Sequence, residues 1–123
     1  NNGGGQLGDG TKVSSSTPVV VSGLTGATRI SSNGLHSCSL AAAGQVRCWG
    51  DNSLGEFGNG TTTLSLTQVA NGVTGATSIS AGFGFSCAVV AGKASCWGSN
   101  SIGQLGDGTT TSSLLPVGVV GLD

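Results

Sequence analysis

The sequence predicts an all-β fold assembled from tandem units of four short strands, and three observations carry that prediction. Gly supplies 24 of the 123 residues, and Gly, Ser and Thr together fill 55 positions. That is a composition of tight turns, because Gly inside a helix costs roughly 1 kcal/mol against Ala. No window carries a convincing helical apolar period of about 3.6 residues. Finally, three landmarks return with one period. Gly5-Gln6-Leu7-Gly8-Asp9-Gly10-Thr11 recurs as Gly55-Glu56-Phe57-Gly58-Asn59-Gly60-Thr61 and as Gly103-Gln104-Leu105-Gly106-Asp107-Gly108-Thr109, at spacings of 50 and 48. Gly23–Thr28 recurs as Gly72–Thr77 after 49 residues, and Cys48-Trp49-Gly50 as Cys96-Trp97-Gly98 after 48. The units are therefore 1–50, 51–98 and a partial 99–123.

Along the chain, Asn1–Gly5 opens in turn-forming residues, and the Gly-Asp-Gly and Gly-Asn-Gly steps read as turns with positive φ. Strand signals then follow at short, even spacing. Unit one gives Thr17–Val21, Ala27–Ser31, Ser37–Ala41 and Gln45–Trp49. Unit two gives Thr67–Ala70, Ala76–Ser80, Ser86–Val90 and Lys93–Trp97, and unit three stops before its last two strands. Four short strands in about 50 residues make one blade of a β-propeller. A β-solenoid coil is the structural rival, with repeats that are usually shorter.

Composition excludes several classes of function. A net charge of −1 with four basic residues cannot supply the several phosphate contacts that hold a protein on nucleic acid. Apolar runs such as Pro18–Val21 fall far short of a membrane span of about 20 residues, so no membrane insertion is expected. Gly is off the three-residue collagen period. A positive mean hydropathy with only 7% charged residues is the reverse of the disordered signature.

The cysteines fall on a register. Ala91-Gly92 reads as a two-residue turn that pairs Val90 with Lys93 and Val89 with Ala94, which sets Cys87 opposite Cys96. In the first hairpin a three-residue loop, Ala42–Gly44, sets Cys38 opposite Cys48 in the same way. Opposed Cα atoms in a non-hydrogen-bonded pair stand about 4.5 Å apart, within the disulfide range of roughly 4.4–6.8 Å. Two cross-strand disulfides and an oxidising compartment are expected. Buried free thiols and a four-Cys metal site are the rival readings, although no Cys-x-x-Cys is present.

Catalytic and cofactor patterns are weak. Gly3–Gly8 fits a dinucleotide spacing, yet it lacks the preceding strand, the following helix and the distal acid. His36 is the only histidine, so any His-based catalytic set must use it, and Phe85 replaces it in unit two. The acids Asp9 and Asp107 are repeat-equivalent turn residues, and Asp51, Glu56 and Asp123 show no supporting pattern for a carboxylate pair. Asn59-Gly60-Thr61 matches a glycosylation sequon but occupies a turn position. Trp49 and Trp97 stand at equivalent points and read as blade packing. No catalytic, cofactor-binding or metal-binding residue is expected, and the chain reads as non-enzymatic. Loop positions that vary on the repeated frame are the candidates for recognition. These are Leu35, His36, Phe83 and Phe85 before the third strand of each unit, with Leu54 and Ile102 in the Asn-x-x-Gly turns.

These residues resemble a known repeat. Ala27–Ser31, His36–Leu40 and Cys96–Thr109, which includes Trp97-Gly98-Ser99-Asn100 and Gly103-Gln104-Leu105-Gly106-Asp107-Gly108, are similar to the regulator of chromosome condensation repeat. The resemblance implies a seven-bladed propeller used mainly to bind proteins. Some secreted members of that family inhibit extracellular enzymes, and its nuclear founder drives nucleotide exchange on a small GTPase. The departures are Phe85 for His36 and Glu56 for Gln. The chain holds no Met, and two and a half blades fall short of the four that closure requires, so a segment of a longer polypeptide is expected. The leading functional expectation is a protein-binding scaffold, extracellular, on the cell surface or periplasmic, whose partner is another protein or further repeats of the same kind. The alternatives are a self-assembling subunit of a fibre or closed homo-oligomer, and nucleotide exchange.

Overall fold

The computed structural model describes residues 1–122; Asp123 lies outside the described residues. Eight strands form two four-stranded antiparallel sheets. Sheet one takes β1 (Ala27–Asn33), β2 (His36–Ala41), β3 (Val46–Gly50) and β4 (Ser65–Ala70) in sequence order. Sheet two repeats the order with β5 (Ala76–Gly82), β6 (Phe85–Val90), β7 (Lys93–Gly98) and β8 (Ser113–Gly118). The fold is all-β.

The hairpin registers follow from the turns. Val90 pairs with Lys93 and Val89 with Ala94, which brings Cys87 opposite Cys96. Ala91 and Gly92 both have positive φ, 49° and 77°, the requirement of a type I′ turn. Ala91 is the only non-Gly residue in that region among those described, so its Cβ crowds the backbone where Asn or Gly would fit. In sheet one the longer loop closes with Ala41 N–H donating to the Gln45 carbonyl at 3.0 Å, and Cys38 meets Cys48. Both pairs are disulfides, with Cα atoms 4.1 and 4.0 Å apart. The repeated Gly-Ala-Thr motif has a separate role. Thr28 and Thr77 fall at register shifts in β1 and β5, and their hydroxyls donate to the carbonyls of Leu40 and Val89 at 3.1 and 3.3 Å. Each Thr thus satisfies a carbonyl beside a bulge.

The structure corrects two sequence expectations. The sheets are out of phase with the units 1–50, 51–98 and 99–123: β4 lies in the second span and closes sheet one, and β8 lies in the third span and closes sheet two. A repeat can be cut from sequence at any phase, and only pairing shows where a blade ends. Thr17–Val21, expected as a strand, is not one. It begins with the same local bond as the outer strands, since Ser15 Oγ donates to the Thr17 carbonyl as Ser65 does to Thr67 and Ser113 does to Leu115. No neighbouring strand pairs with it among the described residues, so its backbone makes no ladder.

The core lies between the sheets. Cys38, Leu40, Val46 and Cys48 of sheet one meet Phe57 from the β3–β4 connection and Ala76, Ala88 and Trp97 of sheet two. β2 is buried along almost its whole length, since it has a strand on each side and packing on both faces.

Loss of each disulfide is expected to cost roughly 2–3 kcal/mol by loop entropy. Non-reducing peptide mapping should recover the 38–48 and 87–96 linkages, and urea unfolding of the Cys38→Ala/Cys48→Ala double variant should show the loss. Four alkylatable thiols in native protein would contradict the pairing.

Candidate protein interface

One end of both sheets gathers the β1–β2 turn (33–36), the β5–β6 turn (82–85) and the loops that leave β3 and β7. Three Asn side chains, each fully buried, build those loops: Asn2, Asn52 and Asn100. Asn52 Nδ2 donates to the Thr61 and Thr63 carbonyls at 3.0 and 3.3 Å, and its Oδ1 accepts from Phe57 N–H at 2.8 Å. Asn2 and Asn100 make the same set with Thr11, Val13 and Leu7, and with Thr109, Thr111 and Leu105. A buried amide whose donors and acceptor are all matched fixes the loop without leaving an orphan group. Asp9, Asn59 and Asp107 close the adjacent turn by accepting from Thr11, Thr61 and Thr109. These bonds hold the Asp9 and Asp107 carboxyls below the usual range.

The loop that Asn52 shapes reaches over to sheet two. The Glu56 carbonyl accepts from Trp97 Nε1 at 2.7 Å and from Ser86 Oγ at 3.0 Å. One repeat earlier, the Gln6 carbonyl accepts from Trp49 Nε1 at 2.8 Å and Ser37 Oγ at 2.9 Å. The indoles lie flat against Gly8 and Gly58, where an added Cβ would stand 2.6 and 2.7 Å from ring atoms. Both tryptophans are thus packing elements at the blade joint, as the sequence predicts. The three Asn residues escape that reading, although they recur on the repeat period.

His36 is 1% exposed, so it is not a surface contact residue; this corrects its place among the recognition candidates. Its Nε2 lies 2.8 Å from Ser86 Oγ, across the joint. The Ser86 hydroxyl gives its proton to the Glu56 carbonyl, so the imidazole donates through Nε2–H. In that arrangement the ring does not accept the serine proton, as a general base must. Burial lowers the His36 pKa to about 4, against a smaller opposing pull from Asp51. Among the described residues no three His, Cys, Asp or Glu side chains gather in a set able to hold a metal ion.

The other variable positions differ in accessibility. Phe85 is half-buried, its ring lying over Gly82, which has no room for a Cβ. Leu35, Leu54, Phe83 and Ile102 are 42, 46, 71 and 85% exposed. Leu54 leans against Gly84, next to Phe83. Leu35 and Phe83 occupy turns at the same end of the two sheets, and Leu54 and Ile102 the loops beside them, so this end carries the four exposed apolar side chains.

A different kind of opening lies on the side face of sheet one. A cleft of about 350 Å³ is lined by Leu7, Val21, Ile30 and Trp49 among others. The repeat counterparts of Leu7 and Ile30 are Phe57 and Ile79, which belong to or pack against the core between the sheets. The cleft is therefore the open half of a blade-to-blade joint. On the far side, Cys87 and Val89 of sheet two are only half-buried where Cys38 and Leu40 are 2 and 3% exposed.

Residues 27–56 match the regulator of chromosome condensation (RCC1) repeat. Over 62 residues the chain is 42% identical to the E3 ubiquitin-protein ligase HERC2 of Homo sapiens and of Mus musculus, covering 49% of this chain and 1% of each of those proteins. Prp20p of Saccharomyces cerevisiae superposes with a TM-score of 0.73 at 20% identity, over 83% of this chain and 26% of that one. Human WBSCR16 superposes with a TM-score of 0.66 at 16% identity, over 76% and 24%. This chain thus spans about a quarter of those solved chains and about a hundredth of the ligases. Its two sheets match part of an RCC1-type β-propeller.

The buried His36 makes stability pH-dependent with a defined sign. Its folded pKa lies below the ordinary imidazole value of 6.5, so the unfolded chain binds the proton first, and stability present above that value is lost as pH falls toward about 4. The full effect is about 3 kcal/mol. Chemical denaturation between pH 7 and pH 4 should show it in the wild type and show a flatter profile in His36→Gln.

Proposed function

We propose that this chain is a non-catalytic propeller scaffold that binds another protein through the apolar rim of Leu35, Leu54, Phe83 and Ile102. The observation that carries the proposal is that these four apolar side chains, carried by loops at the same end of the two sheets, are 42 to 85% exposed. The repeat holds the surrounding loops through the buried Asn side chains and the Gln/Glu-to-backbone bonds, yet it leaves these four positions to vary. Exposed apolar clusters of this kind mark interaction sites. A Phe held on a rigid turn anchors a partner at low entropic cost. The partner this chemistry fits is a protein with a complementary apolar surface, since little charge is available to recognise a charged ligand.

The two disulfides support an extracellular, surface or periplasmic setting, because cytosolic and nuclear thiols are kept reduced. The same point argues against nucleotide exchange on a small GTPase, the intracellular activity implied by the family's founder. Prp20p is described with binding properties toward Gsp1p and histones. For the present chain, that likeness supports the propeller as a platform for protein contacts.

A second reading rests on the open joints. The face of sheet one bearing Leu7 and Ile30 and the face of sheet two bearing Cys87 and Val89 are the two halves of the joint already formed between the sheets. Further repeats of the same kind, in the same polypeptide or in a second copy, fit both.

A Phe83→Ala/Ile102→Ala variant is expected to weaken partner binding at least tenfold, equivalent to about 1.4 kcal/mol, in a pull-down followed by calorimetry, with unfolding unchanged. Unaltered binding would remove the rim from the interface. Size-exclusion with light scattering distinguishes the second reading, which requires a concentration-dependent rise in mass.

A further inference from the structure

The three repeats place a glutamine-shaped side chain at the same point of the blade loop, and repeat two alone makes it an acid. Gln6 bridges two backbones. Its Oε1 accepts from Gly4 N–H at 2.9 Å, and its Nε2 donates to the Gly34 carbonyl in the β1–β2 turn at 2.7 Å. Gln104 repeats the first half, accepting from Ile102 N–H at 3.0 Å. Glu56 does likewise, Oε2 accepting from Leu54 N–H at 2.9 Å, and by repeat equivalence its other oxygen corresponds to the Gln6 amide nitrogen. The carbonyl equivalent to that of Gly34 is the Phe83 carbonyl. Asp51 N–H donates to Leu35 O at 2.9 Å and Ser99 N–H to Gly84 O at 2.8 Å, which makes Leu35 equivalent to Gly84 and Gly34 equivalent to Phe83.

We propose that Glu56 is a pH-sensitive latch across the blade joint, its protonated carboxyl donating to the Phe83 carbonyl as the Gln6 amide donates to Gly34. An ionised carboxylate has only lone pairs to offer a carbonyl oxygen, so ionisation opens the latch and frees the turn that carries Phe83. Glu56 is 2% exposed, a setting in which an isolated charge is costly. Burial raises its pKa, and the Asp51 carboxylate adds to the rise while backbone hydrogen bonds oppose it. Asp51 is held on the same loop by Ser53 N–H and Oγ. The β5–β6 turn and β6 carry no charged residue. From β2 comes His36, neutral above about pH 4, and from β7 the Trp97 indole, which donates to the Glu56 main chain.

The sign is the reverse of that for His36. A carboxyl with a raised folded pKa favours the folded state fully below the unfolded value of 4.5, and that favour is lost as pH rises through the folded pKa. Glu56→Gln restores the amide of the neighbouring repeats and does not titrate. Comparing urea unfolding of the intact protein and Glu56→Gln from pH 3.5 to pH 8 cancels the His36 contribution. The expected result is near-equal stability at the acid end and a growing advantage for the variant above it. Within the titration window the ratio of their folding constants changes by up to tenfold per pH unit. A ratio that stays constant with pH, or a variant no more stable at pH 8, overturns the latch. Carbon-13 NMR of the wild-type carboxyls gives an independent readout, in which Glu56 should titrate above Asp9 and Asp107. Titration of Glu56 in the ordinary carboxylate range also overturns it.

Discussion

Both blade joints rest on a single backbone carbonyl that two side chains of the next blade must reach. At the joint between the sheets it is the carbonyl of Glu56, which takes the Trp97 indole and the Ser86 hydroxyl. A buried carbonyl left without donors would cost the joint more than any single apolar contact there contributes, so the loop presenting it must be held accurately. The fully buried Asn52 supplies that accuracy, and Gly58 allows the indole to lie close enough to donate. The recurring Asn, Gly, Ser and Trp of the repeat are thus parts of one device. The donors and the acceptor that close the joint are neutral, so the joint itself calls for no ion pair.

Because each sheet meets only its neighbours, burial in this molecule depends on position in the array more than on residue type. Cys38 and Cys87 occupy the same repeat position and form the same kind of disulfide, yet one is sealed beneath the next sheet and the other is half-open. Ile30 and Ile79 show the converse. The apolar rim is independent of this gradient, since it lies at the ends of the sheets rather than on their faces. A neighbouring blade can cover the faces and leave the rim available.

Hairpin geometry was the most legible part of the fold. Turn length and alternation alone place Cys38 opposite Cys48 and Cys87 opposite Cys96, because those contacts are local and the side-chain period of a strand is two. The outer strand was less so. Thr17–Val21 carries the β-branched pattern of a strand, but a strand exists only where a partner supplies its ladder. His36 was misread for a related reason. A polar aromatic after a Gly-containing turn looks accessible in sequence, and its buried partner, Ser86, comes from the next repeat.

The repeat, the four-stranded unit, the hairpin registers and the loop positions released to vary are all legible in the chain alone, since each is encoded within about 50 residues. Where one blade ends, which varied positions reach solvent, and what the repeated Asn and Trp residues bond emerge only once the sheets are assembled. Those depend on contacts between repeats. A periodic sequence looks the same at every phase, so it cannot show which face of a repeat meets its neighbour.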